Sequence, residues 1–416
     1  MKVELHLLQN FPPHNLNRDE TGTPKDCEFG GERRARISSQ CFKRAIRTSP
    51  VFAETLDEQI GIRTKRSSER IAELLREKHG HDPHAARALG EAALSQLISD
   101  VDETGKTNVL YYVSHDELND LAHRLQEAAS EIDADDLNEA AEAYRRKHTS
   151  SDDGDEVDLE DARDPLESAL KGTLKEFVKE NKGWARSTDV ALFGRMLAEE
   201  PDLNLDAACQ VAHALSTNRV AMEFDFFTAV DDLNPDAETG AGMIGSTGFN
   251  SSCFYRYMLV DVDHLAKNLS PEDDATDASR QRALDGTRAF LRAAIAALPT
   301  GKQNSFAAQA RPALALAVAR PERSMPMSLV NAFEAPAAPQ DGHSLMSDSA
   351  HKLFEHWNNL HGMYGGEGSQ AFLAMLDDLN RNGVNEAVAE SSIEKCDSVQ
   401  QVINGVLHVV EEEVSS

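Results

Sequence analysis

Apolar and polar residues alternate through Val3-Glu4-Leu5-His6-Leu7-Leu8, which predicts a first strand leading into a loop rich in Pro and Asn. Ile37-Ser38-Ser39 then reads as a helix start. A serine hydroxyl accepts from an orphan amide of the first turn, and Ile37 is placed to staple onto Phe42. With Ser38 as cap, Gln40, Lys43, Arg44 and Arg47 share one face, while Cys41, Phe42, Ala45 and Ile46 take the other. Strand, loop, helix is how a ferredoxin-like or RNA-recognition-type sheet begins.

From about residue 60 to 220 the period turns helical, in RIAELLREK, AARALGEAALSQLI, DELNDLAHRLQEAAS, DLNEAAEAYRRK and DAACQVAHALST. A helical insertion therefore interrupts the sheet. The acidic segment 149–165, TSSDDGDEVDLEDARDP, is expected to be disordered or a solvated loop. After Arg219, Glu223 to Val230 and Ser252 to Val262 read as a long hairpin with an extended tip rich in Gly, Asn and Asp. Residues 279–298 form an amphipathic helix stopped by Pro299-Thr300-Gly301, and Ala313 to Ala319 reads as a strand that would complete the sheet. A helix near 345–360, a glycine-rich loop at Gly365 to Gly368 and an acidic tail close the chain.

At 416 residues and 40% hydrophobic, the chain can bury a large core in two or more units. No run approaches the ~20 apolar residues of a membrane span, and MKVELHLLQN lacks a signal-peptide core. A cytoplasmic protein with no membrane partner is expected. Cysteines 27, 41, 209, 253 and 396 are odd in number and form no C-x-x-C pair, so they are expected to be buried thiols in a reducing compartment.

The net charge of -29 argues against nucleic acid as a partner, until it is read by segment. Residues 1–50 hold nine Lys and Arg against six Asp and Glu, whereas 51–220 sum to -17 and 221–416 to -15. From Arg33 to Arg47 there are six cations (Arg33, Arg34, Arg36, Lys43, Arg44, Arg47) and no acid. A helix N-terminus beside a cationic face suits successive phosphates, and Gly30-Gly31 would let a backbone approach closely. A solvated basic helix is the plainer alternative. The surrounding acidity would discourage unspecific binding; a salt-rich habitat or solubility explains it equally well.

Other constellations are weaker. Gly240 to Gly245 matches G-x-G-x-x-G, but no strand enters it and no helix follows, so no nucleotide cofactor is expected and a flexible projection fits better. His351, His356 and His361 are spaced off a common helix face, and His79, His81 and His84 lie in a loop that reads as solvated, so no metal site is expected. Asp26, beside Lys25 and just before the glycines, could hold a divalent metal for phosphodiester cleavage, although it is a single carboxylate. Alternation sends Phe226 and Phe227 to opposite faces. One ring can pack while the other meets a base, a contact worth about 1–3 kcal/mol.

The wording of the basic stretch is more specific than its charge. LNRD, then KD and FGGERRARISSQCFKRAIR, resembles the CasC family, the repeated backbone subunit of type I-E CRISPR Cascade complexes. FGRM (193–196), FFTAVDDL (226–233), FNSSCFYRY (249–257) and PMSLVNAFE (326–334) are similar to the same family in the same order, while 60–180 and the last forty residues carry no resemblance. The resemblance implies an α+β fold with a ferredoxin-like or RRM-type palm, a large helical finger insertion and a β-hairpin thumb. Residues 1–59 would begin the palm, 60–219 form the fingers, 220–258 a palm strand and the thumb, and 259–416 the rest of the palm with a C-terminal segment. It further implies a non-enzymatic protein, without cofactor or metal, that polymerises along CRISPR RNA, kinks it at intervals and presents its bases to target DNA. Its partners would be the RNA, the paired DNA strand, further copies of itself and the other Cascade subunits.

Arg18, Lys25, Ser38, Gln40, Lys43, Arg44 and Arg47 are the residues expected to grip the RNA backbone. By the same resemblance, Met196, Phe227 and Thr228 would act where a base flips. Related type III backbone subunits cut RNA with an acidic loop residue, so a metal-dependent endonuclease centred on Asp26 is one alternative. An acidic filament protein without nucleic acid is the other.

Overall fold

The computed structural model describes the chain apart from residues 57–59, 150–158, 230–242, 273, 340–341, 367, 382–383, 390–391 and 415–416. It opens with β1 (Lys2–His14), β2 (Asp26–Phe29), β3 (Glu32–Ile37), α1 (Ser39–Arg47) and α2 (Pro50–Leu56). A mainly helical stretch follows: β4 (Ile62–Thr64), α3 (Ser67–His79), α4 (Pro83–Leu97), β5 (Tyr111–Val113), α5 (His115–Ala129), α6 (Ala134–Thr149), α7 (Leu159–Glu180) and α8 (Thr188–Phe193). Then come β6 (Cys209–Val211), β7 (Ala214–Ser216), β8 (Glu223–Ala229), β9 (Met243–Asp261), α9 (Val262–Asn268), α10 (Asp277–Ala296), α11 (Gln303–Phe306) and β10 (Leu314–Arg320). The chain closes with α12 (Leu345–Tyr364), β11 (Gln370–Met375), α13 (Asp377–Arg381), α14 (Val384–Ala389), β12 (Ile393–Lys395) and α15 (Val399–Val414). These elements form two units, one of residues 1–56, 209–263 and 284–416, the other of 57–208 and 264–283.

The first unit is built on one sheet in the order β12-β11-β10-β1-β9-β7-β3-β2, with β6 and β8 also paired to β9. β1 lies between β10 and β9, antiparallel to both, with Leu5 opposite Ala317 and Met258. Both faces of the sheet are covered, so β1 is buried almost continuously and its alternation is weak. On one face, the Arg256 guanidinium stacks 4.0 Å from the Phe42 ring of α1 and donates to Ala294 O of α10 at 2.7 Å. Burial pushes the Arg256 pKa down to about 9, and Gln9 Oε1 accepts from it at 2.7 Å. On the other face, Tyr255, Leu316 and Leu373 pack with Phe354 and Trp357 of α12.

Several expectations are corrected here. The segment 206–217, read as helical, forms β6 and β7, because Cys209–Val211 pairs with Val260–Met258 and Leu215 with Tyr255. Pairing outweighs a helical pattern when a long partner strand is available. β1 runs through Pro12-Pro13 to His14, past the expected loop start, with an irregularity between Phe11 and His14. The acidic tail is α15, whose buried Val402, Ile403, Val406, Leu407 and Val410 pack it onto the sheet. Of the five free thiols, Cys209 and Cys253 are buried, whereas Cys27, Cys41 and Cys396 are half-buried.

The second unit is helical, with α3 to α7 around a core of Leu, Ala, Tyr111 and Phe177. α5 starts on a capping box between Ser114 and Glu117, a strong local signal. Of the expected acidic loop, Leu159 to Pro165 is helix in α7, and 150–158 lies outside the described residues. Of the dinucleotide-like run, 240–242 lies outside them as well, while Met243, Ile244 and Gly245 belong to β9.

Candidate nucleic-acid interface

α1 forms as its sequence dictates. Ser38 caps it by accepting from Cys41 N–H at 3.3 Å, and Phe42 and Ile46 are buried. Gln40 and Arg44 are exposed, and Lys43 and Arg47 half-buried. Among the described residues, Lys43 and Arg44 have no ion-pair partner.

The loop before it is stitched to this N-terminus. Asn17 Oδ1 accepts from Ser38 N–H at 2.8 Å, and Asn17 O accepts from Lys25 N–H at 2.9 Å. Asp19 closes the loop by accepting from Thr21 and Thr23, which leaves Arg18 exposed at the turn. Buried Asn15 donates to Gly22 O at 3.0 Å and to Gly248 O at 2.9 Å, tying the loop to the base of the β8–β9 hairpin. Arg18, Lys25, Ser38, Gln40, Lys43, Arg44 and Arg47 therefore belong to one loop-and-helix assembly.

Gly30-Gly31 is the turn of the β2–β3 hairpin, with φ of 62° and 74°. A Cβ on Gly30 would lie 2.1 Å from Glu334 O, so the close backbone approach expected there is made to the chain itself. Arg34 is 0% exposed and donates to the carbonyls of Ser216, Thr217, Phe333 and Glu334 at 2.7–3.1 Å. Arg33 is ion-paired with Asp26.

One residue that the sequence reading passed over, His213, completes the entry to α1. Arg36 donates to His213 Nδ1 at 3.2 Å, and Ser39 N–H donates to the same atom at 3.3 Å. Burial and the charges of Arg36 and Lys25 lower the His213 pKa, in keeping with an acceptor nitrogen.

On the hairpin, Phe227 faces Gly245 and Thr228 faces Ile244. The Phe227 ring rests where a Gly245 side chain would be, 2.5 Å from its ideal Cβ, and is 40% exposed. Phe226, on the opposite face with Thr228, is 68% exposed. The alternation holds, yet neither ring enters a core.

Met196 belongs to the second unit and is 88% exposed. Its neighbours fix it. Arg195 is buried against Glu117 at 2.8 Å and donates to Leu203 O at 2.8 Å, while Leu197 N–H bonds to Asn204. Gly194, at φ 76°, has no room for a Cβ, which would lie 2.8 Å from Leu205 O. A flexible thioether is thus held out from a rigid turn.

No curated protein matches the chain. Solved structures do. A chain of one described as "CRISPR RNA-guided surveillance complex, pre-nicking" is 28% identical with a TM-score of 0.73, over 98% of this chain and 99% of that one. A chain of another, described as "CRISPR RNA-guided surveillance complex", is 23% identical with a TM-score of 0.65 over the same shares and is alike in fold. A family model described as CT1975-like protein matches residues 3–403, and the chain belongs to that family.

Proposed function

We propose that this chain is the CRISPR RNA-binding backbone subunit of a surveillance complex of the type I-E kind. In this reading several copies polymerise along the guide, each gripping its backbone and kinking it so that bases between kinks stay open to target DNA. The observation that carries the reading is α1. Its capped N-terminus and its Gln40, Lys43 and Arg44 present donors and positive charge in a chain of net charge -29. Phosphate contacts give affinity without sequence preference, as a carrier of variable guides requires.

The order β10-β1-β9-β7, antiparallel throughout, with α1 and α10 on one face, supports a ferredoxin-like palm. The hairpin β8–β9 would be the thumb, with Phe227 and Thr228 at the flipped base, and Met196 a wedge from the fingers. The subunit would act in the cytoplasm and bind without cutting. In support, the Asp26 carboxylate is already paired with Arg33, which competes with a metal for it. Among the described residues, no helix is long and apolar enough to cross a membrane.

Co-expression with CRISPR RNA and the partner subunits tests the proposal. The largest species on size exclusion should carry RNA protected in one length class, seen as a raised nucleic-acid to protein absorbance ratio. Assemblies free of nucleic acid would leave the acidic filament; RNA cleavage lost in Asp26→Ala would point to the nuclease.

A further inference from the structure

Beneath α1 lies a buried arginine with no acid beside it. Among the described residues, the buried arginines are Arg34, Arg163, Arg195, Arg256 and Arg320. Arg163 meets Glu91 at 3.6 Å, Arg195 meets Glu117 at 2.8 Å, and Arg320 is paired with Glu4. Arg34 feels the pull of Glu32 and is bonded to backbone carbonyls. Arg256 has no carboxylate among the described residues. In a chain with 71 Asp and Glu, a buried cation left without one runs against the trend.

Its surroundings are neutral. Arg256 is 1% exposed, donates to Gln9 Oε1 of β1 and to Ala294 O of α10, both at 2.7 Å, and stacks on the Phe42 ring of α1. Its Nε is buried without an acceptor. Burial alone lowers its pKa, and no ionisable group of β1, α1 or α10 acts against it. Desolvating a cation is costly, and here no ion pair offsets the cost. An apolar residue of similar size would pack on Phe42 more cheaply, so packing does not call for the charge.

What the position does supply is closeness to the basic helix. Phe42 and Ile46 turn inward on α1, while Gln40 and Arg44 are exposed. A helix is about 10 Å across, so a phosphate on its outer face would stand on the order of 15 Å from the guanidinium. The line between them runs through protein, where charges are screened less than in solvent. At an effective dielectric of about 20, a unit charge at that range changes affinity for an anion by roughly three- to tenfold.

We propose that Arg256 is a buried electrostatic element of the RNA interface, whose unpaired charge strengthens the field of α1 at the phosphates without touching them. The proposal rests on the RNA-binding reading above and adds a second layer of charge beneath the layer that makes contact.

Labelled single-stranded RNA is titrated into the full-length chain and its variants, with thermal melting followed in parallel. Arg256→Met keeps an apolar contact with Phe42 and removes the charge, so it should weaken RNA binding by roughly three- to tenfold. Arg256→Lys restores the charge in titratable form, since a lysine's ordinary pKa lies about two units below an arginine's. Its RNA affinity should match the parent's at acid pH and fall as pH rises, about two pH units before any such fall in the parent. Its melting temperature should climb over the same range, because a buried base with a depressed pKa favours the neutral form when folded. A role in folding alone would move affinity and melting together. Arg256→Met binding as the parent does would overturn the proposal. So would an Arg256→Lys affinity that follows the parent's pH profile or falls together with melting, a test that stands even where Arg256→Met fails to fold. If in that case Lys43→Ala with Arg44→Ala still weakens binding, the buried element fails while the RNA reading stands. A parent chain that binds no RNA removes both.

Discussion

β3 and α1 follow one another in the chain and carry three cations apiece, Arg33, Arg34 and Arg36 on the strand, Lys43, Arg44 and Arg47 on the helix. The fold treats them differently. Arg34 is wholly buried and joins four carbonyls from two distant segments, Arg33 is paired with Asp26, and Arg36 is bonded to His213 and to Asp26 O. On α1, Lys43 and Arg44 stand on the face away from Phe42 and Ile46 without an ion-pair partner among the described residues. A run of positive charge is therefore two devices, an internal brace and an open surface, and charge counting alone adds them together.

The largest effect should come from the brace. Burial lowers the Arg34 pKa, against the pull of Glu32, and the carbonyl bonds hold the charged form. Arg34→Met leaves those carbonyls inside without donors, so a loss of about 3 kcal/mol or more is expected in urea denaturation. A loss under about 1 kcal/mol, the range of an exposed cation, would erase the distinction between strand and helix.

The open surface should behave in the opposite way. Lys43→Ala with Arg44→Ala should stay within about 0.5 kcal/mol of the parent in stability. It should nevertheless weaken RNA binding regardless of sequence and reduce the salt slope by about 1.4, two phosphates' worth. An unchanged slope would take α1 out of the interface.

What could be read beforehand follows the same division. The cap, the polar and apolar faces of α1, and the helices α3 to α6 depend on residues within a few positions of each other, and their patterns were legible. Arg34 was not, because its acceptors lie 182 to 300 residues away and are backbone carbonyls, which have no signature in sequence. β6 and β7 differ from their helical pattern for a related reason: the partner that makes them strands is β9, which pairs Cys209 with Val260 and Leu215 with Tyr255. Of the candidate site, the loop-and-helix half was visible as motif and charge. The share of His213 in it was not, since it stands 174 residues beyond Ser39 and nothing in its own neighbourhood marks it as the acceptor at the start of α1.

The smallest effect lies where the two devices meet. His213 Nδ1 accepts from Arg36 on β3 and from Ser39 N–H at the start of α1, and both bonds require the unprotonated nitrogen. Its pKa is lowered from 6.5, first by burial and then by Arg36 and Lys25. A base with a depressed pKa prefers its neutral form when folded. Its contribution to stability is thus complete above pH 6.5 and lost as pH falls through the folded value. The effect is small because the ring is largely exposed, so it is better followed at the ring than by denaturation. An NMR titration should place His213 below the ordinary histidine range in the parent, with Arg36→Ala moving it upward. A normal value in the parent would mean that Arg36 and the start of α1 do not share this nitrogen, and the open surface would begin at β3.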